Sequence, residues 1–369
     1  MNGISIVIIS RGRVRLLEEL IISVKAAQSE TELPTECILV DSSLGDSVQQ
    51  VKDLSERYGL VYDYRDITVS AKRNHGAEIA SYDYVLFLDS DCIATPGILK
   101  SYERLLKEHP DAVGACGPLE FVGDDSWIWS VIEKTPYTIF FSTAKWGETF
   151  TWAPTANLLV KKSVFEETGG FDETFPKNPG GEDVDFGLRM SKKGKMYCCP
   201  DALVYHSKET WCSVKSMFRR VFNYGRGDLA LAERHQNMVC TSLPKRPVMI
   251  LWGILICLIL GIFCSPWFFI GCAATPVYEI LFTSILVNAV QKRSRSSLIK
   301  QILIQLFFIW NECGYLKGCL TQKKLYLRNK QIIHFKPQLD GAVYQYFLSV
   351  IVYETYTAIL LCLFFAVNL

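Results

Sequence analysis

Asp89 and Asp91 follow the apolar run Val85-Leu86-Phe87-Leu88 with only Ser90 between them. Two carboxylates so spaced, where a buried strand ends, can turn toward one point and hold Mg²⁺ or Mn²⁺ with the phosphates it carries, because such a cation needs few protein ligands. The competing reading is a solvated turn in which Asp91 caps the helical pattern that follows. Glu182 and Asp183 come directly after Gly180-Gly181. One of them can serve as a general base, or the cluster can be the acidic first turn of a helix, with Asp185 paired to Arg189 four residues on. For Asp185 the pairing is preferred. His206 ends the apolar stretch Ala202–Tyr205, where imidazole can complete a Mn²⁺ shell or sit as a satisfied strand-end histidine.

The elements that must position these groups alternate through the first part of the chain. Residues 4–9, 37–43, 59–65 and 84–89 read as strands, and residues 16–27, 48–59 and 70–81 between them have helical spacing. That alternation predicts an α/β domain with a largely parallel sheet. Ligands of open α/β sheets sit outside the carboxyl ends of the strands, where Asp41 and Asp89 fall. A chain of 369 residues can bury a sizeable core, and its net charge of +1 gives no electrostatic case for a nucleic-acid partner. The 13 cysteines are scattered and odd in number, which favours reduced thiols over a disulfide framework. Residues 1–10 show no secretory signal, so the N-terminal part is expected to stay in the cytosol.

The mean hydropathy of +0.16 comes from the last third of the chain. Stretches at about 247–264, 267–290 and 344–367 are long enough to span a bilayer, the last interrupted only by Glu354. Basic residues at 245–246, 292–295 and 317–330 place these flanks on the cytoplasmic side. That arrangement holds if residues 297–316, which carry Lys300, Gln301, Gln305 and Glu312, lie at the interface instead of crossing. The expected division is a catalytic domain over 1–235 and a membrane region over 236–369.

The segment Ser70–Leu99, SAKRNHGAEIASYDYVLFLDSDCIATPGIL, resembles family 2 glycosyltransferases of GT-A fold, in which an A-R-N-x-G helix leads into a strand ending in D-x-D. The resemblance extends through ISIVIISRGR, CILVDSS, TANLLVKKSVFEETGGFDETF and GGEDVDFGLRMSKKG, covering most of residues 1–230. It implies a mixed, mainly parallel GT-A sheet flanked by helices, followed by the transmembrane helical region. It also implies a UDP-sugar donor contacted by Ser10, Arg11, Asp41, Arg73, Asn74, Asp89 and Asn157. Asp91, with Asp89 and His206, would hold Mg²⁺ or Mn²⁺, Asp183 would be the base, and Glu182 would hold a hydroxyl. Independently, a guanidinium suits a diphosphate, and a carboxylate suits a base N–H or ribose hydroxyl. Trp127, Trp129 and Trp152 are candidates for stacking on an acceptor, with ordinary packing the alternative. The expected enzyme transfers one sugar to a membrane-proximal acceptor such as a lipid-linked glycan or envelope precursor, from the cytoplasmic face. A processive polysaccharide synthase and a non-catalytic nucleotide-binding scaffold are the other readings; the absence of a Q-x-x-R-W segment disfavours the first, and the presence of Asp91 and Asp183 the second.

Overall fold

The structure is a computed structural model describing residues 2–175, 180–290, 296–333 and 336–368. Its contacts divide into two compact units, Met1–Ser213 and Val214–Leu369.

The first unit alternates strand and helix as the apolar runs require: β1 (Ile4–Ser10), α1 (Val14–Ser29), β2 (Thr35–Asp41), α2 (Ser47–Arg57), β3 (Val61–Tyr64), α3 (Val69–Glu78) and β4 (Tyr84–Asp89). After β4 come β5 (Cys92–Ala94), α4 (Ile98–Glu108), β6 (Gly114–Cys116), β7 (Leu119–Val122), α5 (Trp129–Ile132), β8 (Thr149–Phe150), β9 (Asn157–Lys161), α6 (Lys162–Thr168), α7 (Glu182–Met190), β10 (Met196–Cys198) and β11 (Val204–Ser207). The main sheet runs β3-β2-β1-β4-β9-β6-β10-β8. β1 pairs in parallel with both β2 and β4, whereas β9 is antiparallel to its two neighbours. Every residue of β1 is buried, as befits a central strand covered on both faces.

Alternation along β1 sends Ile4, Ile6 and Ile8 into a core with Leu17, Leu20 and Tyr102, and Val7 into a second core with Phe87, Phe165, Phe171 and Phe186. Helices therefore close both faces, and each fully buried aliphatic or Phe side chain contributes about 1.5–3 kcal/mol of transfer free energy. α3 lies close on β1, because a Cβ on Gly76 would come 2.4 Å from Val7 Cγ1. A smaller sheet, β5-β11-β7, sets His206 opposite Cys92.

The second unit holds α8 (Val214–Arg234), β12 (Val239–Thr241), α9 (Arg246–Phe263), α10 (Phe269–Val290), α11 (Leu298–Thr321), β13 (Lys330–Ile332) and α12 (Lys336–Asn368). By its contacts α8, which the sequence reading places within 1–235, groups with the second unit. A Cβ on Gly225 would stand 1.9 Å from the Asn311 carbonyl oxygen, and one on Gly314 2.0 Å from that of Phe222, so α8 and α11 approach backbone to backbone. Asn311 Nδ2 donates to the Val221 carbonyl at 3.1 Å across the same contact.

Among the described residues, three helical segments are long and apolar enough to cross a membrane: Arg246–Phe263, Pro266–Val290 and Leu348–Ala366. They coincide with the three expected spans. α11 is not among them among the described residues. The basic run at 292–295 lies outside the described residues.

Candidate active site

Parallel register brings the expected residues to one edge. Ser10 at the end of β1 stands beside Asp41 at the end of β2, and Ile9 beside Asp89 at the end of β4. Asp41 is fully buried. Its Oδ1 accepts from Ser10 Oγ at 2.5 Å and from Ser43 Oγ at 2.7 Å. Its Oδ2 and the Tyr62 hydroxyl, both buried, lie beside each other with no other partner. Burial, with the Asp41 charge beside it, pushes that phenol up to about 12. Beneath the same loop, Lys72 Nζ donates to the Ser10 carbonyl at 2.7 Å and to Ser42 Oγ at 2.8 Å. Desolvation brings Lys72 down to about 8, opposed by the Asp41 carboxylate. Arg11 is exposed.

Arg73 ties the edge together. Its buried guanidinium reaches Asp89 Oδ1 at 3.0 Å and Glu182 Oε1 at 3.2 Å, while its Cζ lies 5.6 Å from the Phe171 ring centre. Burial disfavours the cation, but the Asp89, Glu182 and Asp183 charges outweigh it and hold its pKa above the ordinary value. Glu182, the first residue of α7, is buried, and its Oε2 accepts from the Gly180 N–H at 2.7 Å. Both Glu182 oxygens are thus engaged within the protein.

Asp183, half-buried, is different. One oxygen accepts from the Val184 N–H at 2.8 Å, and its carboxyl is pushed up to about 7 by desolvation and by the neighbouring Glu182 charge, against the pull of Arg73. A carboxyl poised near neutrality in an acidic pocket is suited to proton transfer. Asp185 makes the expected pair with Arg189, at 2.7 Å and 2.9 Å.

Asp91 lies on the other side of Asp89. Its Oδ2 accepts from Arg13 Nη1 at 2.8 Å, and its Oδ1 is 3.5 Å from His206 Nε2. His206 Nδ1 faces the Ser207 carbonyl at 3.1 Å. A carbonyl only accepts, so Nδ1 carries a proton and Nε2 is the atom turned to Asp91. One ligand atom each from Asp91, Cys92 and His206 lies within 4.8 Å of the others, all three residues buried. Carboxylate and imidazole there fit a Mn²⁺-type cation, whereas the thiol, pushed well above its ordinary value by burial and the two aspartates, stays protonated. Asp91 is not a helix cap, since α4 begins after Gly97.

The structure gives several of the expected residues partners within the protein. Asn157 is fully buried. Its Oδ1 accepts from the Tyr102 hydroxyl at 2.7 Å, and its Nδ2 donates to the carbonyls of Ala202 (2.7 Å) and Pro118 (3.4 Å), so both amide N–H groups are committed within the protein and no donor is left for a sugar. Asn74 grips the loop before α7: its Nδ2 donates to the Phe171 carbonyl and Glu173 Oε1, both at 2.9 Å, and its Oδ1 accepts from the Phe171 N–H at 2.7 Å. Trp129 and Trp152 are buried, Trp129 against Phe121 at 4.7 Å and Trp152 against Phe140 at 4.8 Å, which makes them packing residues. Trp127 is 52% exposed and remains open to a ligand.

Arg13 and Lys72 escaped the sequence reading. A non-glycine residue at φ 56° immediately after Gly12 is uncommon, and this turn is what carries the Arg13 side chain to Asp91. The only sequence signal is a polar Ser-Arg-Gly-Arg turn at the ligand-bearing strand end. Lys72 had none beyond its place next to Arg73.

Residues 6–239, more than half the chain, match the family described as Glycosyltransferase like family 2. The pre-mycofactocin glycosyltransferase of Mycobacterium tuberculosis is 29% identical over 193 residues, half of this chain and 39% of that one. The hyaluronan synthase of Pasteurella multocida is 25% identical over 56% of this chain and 24% of its own length. The chain thus spans well under two thirds of these relatives. In structure, the mannosyltransferase PcManGT from Pyrobaculum calidifontis, solved with GDP-Man and Mn²⁺, superposes with a TM-score of 0.54 at 15% identity, covering 85% of this chain and 86% of that one. That likeness establishes a GT-A-like fold, and the match over residues 6–239 makes the chain a member of glycosyltransferase family 2 and an enzyme of that class.

Proposed function

We propose that the chain transfers a single sugar, with inversion, from a UDP-sugar to a membrane-proximal acceptor such as a lipid-linked glycan or cell-envelope precursor, working at the cytoplasmic face. The observation that carries this reading is Arg73, which joins Asp89 to Glu182 beside an Asp183 carboxyl held near 7. Asp183 takes the proton of the attacking acceptor hydroxyl. Glu182 acts by positioning Arg73 and the Gly180 turn, since its own oxygens are occupied. Arg73 and Asp89 border the donor. Asp41 Oδ2, which has only the Tyr62 hydroxyl beside it, suits the N–H of a base edge, and Ser10 fixes the carboxylate from its other oxygen.

Asp91 and His206 would hold a divalent cation, in which case Arg13 yields its contact with Asp91 or shares it with a phosphate. The cation's chemistry is charge neutralisation on the departing diphosphate. GDP-Man and Mn²⁺ in the structure of PcManGT are a pairing of the same kind. Trp127 is the remaining aromatic candidate for the acceptor. α9, α10 and the span in α12 anchor the enzyme, with α11 at the interface. Hyaluronan and chondroitin synthases among the relatives favour processive synthesis as the second reading.

The test is a panel of UDP-sugars with Mg²⁺ or Mn²⁺, the detergent-solubilised chain and a membrane-lipid extract, scored by UDP release and product length. Release with one donor and single-sugar products is expected. Chains of many sugars would favour the synthase reading, and no metal-dependent nucleotide binding with any donor would remove the proposal.

A further inference from the structure

The second unit contains a polar cluster that sugar transfer does not use. Arg246, the first residue of α9, donates from its backbone N–H to Glu312 Oε2 at 2.9 Å, with its Nε 3.4 Å from the same oxygen. Its Nη1 donates to Gln305 Oε1 at 2.9 Å. Glu279 on α10 and Tyr353 on α12 both lie within electrostatic reach of Arg246 and Glu312. Thr283 follows Glu279 by one helical turn on the same face.

Four atoms in this cluster are buried with no hydrogen-bond partner: Glu279 Oε2, Thr283 Oγ1, Gln305 Nε2 and the Tyr353 hydroxyl. Glu279, Thr283 and Gln305 are only 4%, 5% and 1% exposed. Orphaned polar groups in an apolar helix bundle are costly, and ionisable ones there are by default functional. The chemistry of the orphans selects the ligand. A bare cation fails beside Arg246 and the Gln305 N–H donors. A phosphate fails against two carboxylates and one guanidinium. What remains unpaired is a mixture of donors and acceptors, and a hydroxyl serves both. The helices around the cluster expose Leu251, Ile262, Ile270 and Ile285, so a molecule reaching it arrives from the bilayer.

We propose that α9–α12 form a binding site for the uncharged, hydroxylated headgroup of a membrane glycolipid, held by Glu279, Thr283, Gln305 and Tyr353. The site lies within the second unit and does not depend on the donor assignments above. Arg246 and Glu312 form its fixed wall. Arg246 opens α9 and Thr283 stands seven residues before Val290, the end of α10, so these two lie within about 10 Å of a helix end at 1.5 Å per residue, with Glu279 one turn deeper.

The test reconstitutes the full chain in phosphatidylcholine nanodiscs containing equal minor fractions of a monohexosyl diacylglycerol and phosphatidylglycerol, re-extracts it, and measures co-purifying lipid by mass spectrometry. The hexosyl lipid should be enriched at least about tenfold over its bulk fraction, the equivalent of one good hydrogen bond. Gln305→Leu and Tyr353→Phe should each remove most of that enrichment. Thr283→Val should lower it while raising the thermal midpoint, because a methyl replaces an orphaned hydroxyl. A cluster filled by water alone would retain neither lipid above bulk, which overturns the proposal. Preferential retention of phosphatidylglycerol would overturn the uncharged headgroup, and equal enrichment in wild type and both variants would overturn the location. The wild-type comparison needs no variant, so a substitution that fails to fold leaves the test standing.

Discussion

Asp183→Asn separates a base from a merely buried carboxyl, because it removes charge and proton affinity while keeping size and the acceptor for the Val184 N–H. Raising a carboxyl from 3.8 to about 7 costs the ionised native state roughly 4 kcal/mol. Asp183 is half-buried, and solvent screening reduces the recoverable part to about 2 kcal/mol. The sign follows from linkage: between pH 4 and 7 the native chain binds more protons at this carboxyl than the unfolded chain, so wild-type stability falls as pH rises, and the loss is complete above 7. Asparagine does not titrate. The variant should therefore melt about 5 °C above wild type at pH 8, with a smaller gap at pH 5 and none near pH 4. Donor affinity should be retained, turnover should drop about a hundred- to ten-thousand-fold, and wild-type kcat/KM should rise through an acid limb near pH 7. Turnover within tenfold of wild type, or a lower melting midpoint at pH 8, would falsify the assignment of Asp183 as a strained base.

Asp91→Asn should weaken nucleotide binding about tenfold or more when Mn²⁺ is present and leave it nearly unchanged in chelator, as titration calorimetry under both conditions would reveal. Arg73→Lys keeps the charge but cannot span Asp89 and Glu182 together, so kcat/KM should fall about ten- to a hundredfold; parity with wild type would mean that the fork is dispensable. Asn157→Leu strands the Tyr102 hydroxyl and two carbonyls, and should cost about 2–4 kcal/mol in a denaturant titration while leaving the KM for donor unchanged. Trp127→Ala should raise the KM for acceptor alone, with thermal stability within about 0.5 kcal/mol of wild type.

What was legible in the sequence and what was not divide along the range of the interactions. β4 was read at its observed limits, Tyr84–Asp89, because a central strand is an uninterrupted apolar run whose end is marked by the first charge. Asp41 and Asp89 followed from their strand ends, whereas Arg73 came with the family resemblance of the helix before β4. His206 needed more: its approach to Asp91 depends on β11 pairing with β5, over a hundred residues away in the chain, and only the strand pattern before it gave any hint. Arg13 depends on a left-handed turn, and Lys72 on the loop that covers it, neither of which leaves a periodic trace.

Two of these placements, Asn74 and Glu182, share a geometric cause. Neighbouring residues on a helix point about 100° apart, so a motif that places one side chain in a pocket turns the next away from it. In α3, Arg73 reaches the carboxylates at the strand ends while Asn74 faces outward and closes on Phe171, the ring over which Arg73 lies. In α7, Glu182 turns inward to Arg73 while Asp183, one step on, keeps partial access to solvent and a raised pKa. A run such as Arg-Asn or Glu-Asp therefore encodes one chemical group and one support. Substituting the support should act through the position of its neighbour: Asn74→Ala should loosen the Phe171 loop and lower kcat, yet leave the acid limb near pH 7 in place, because it does not touch the charges that set Asp183.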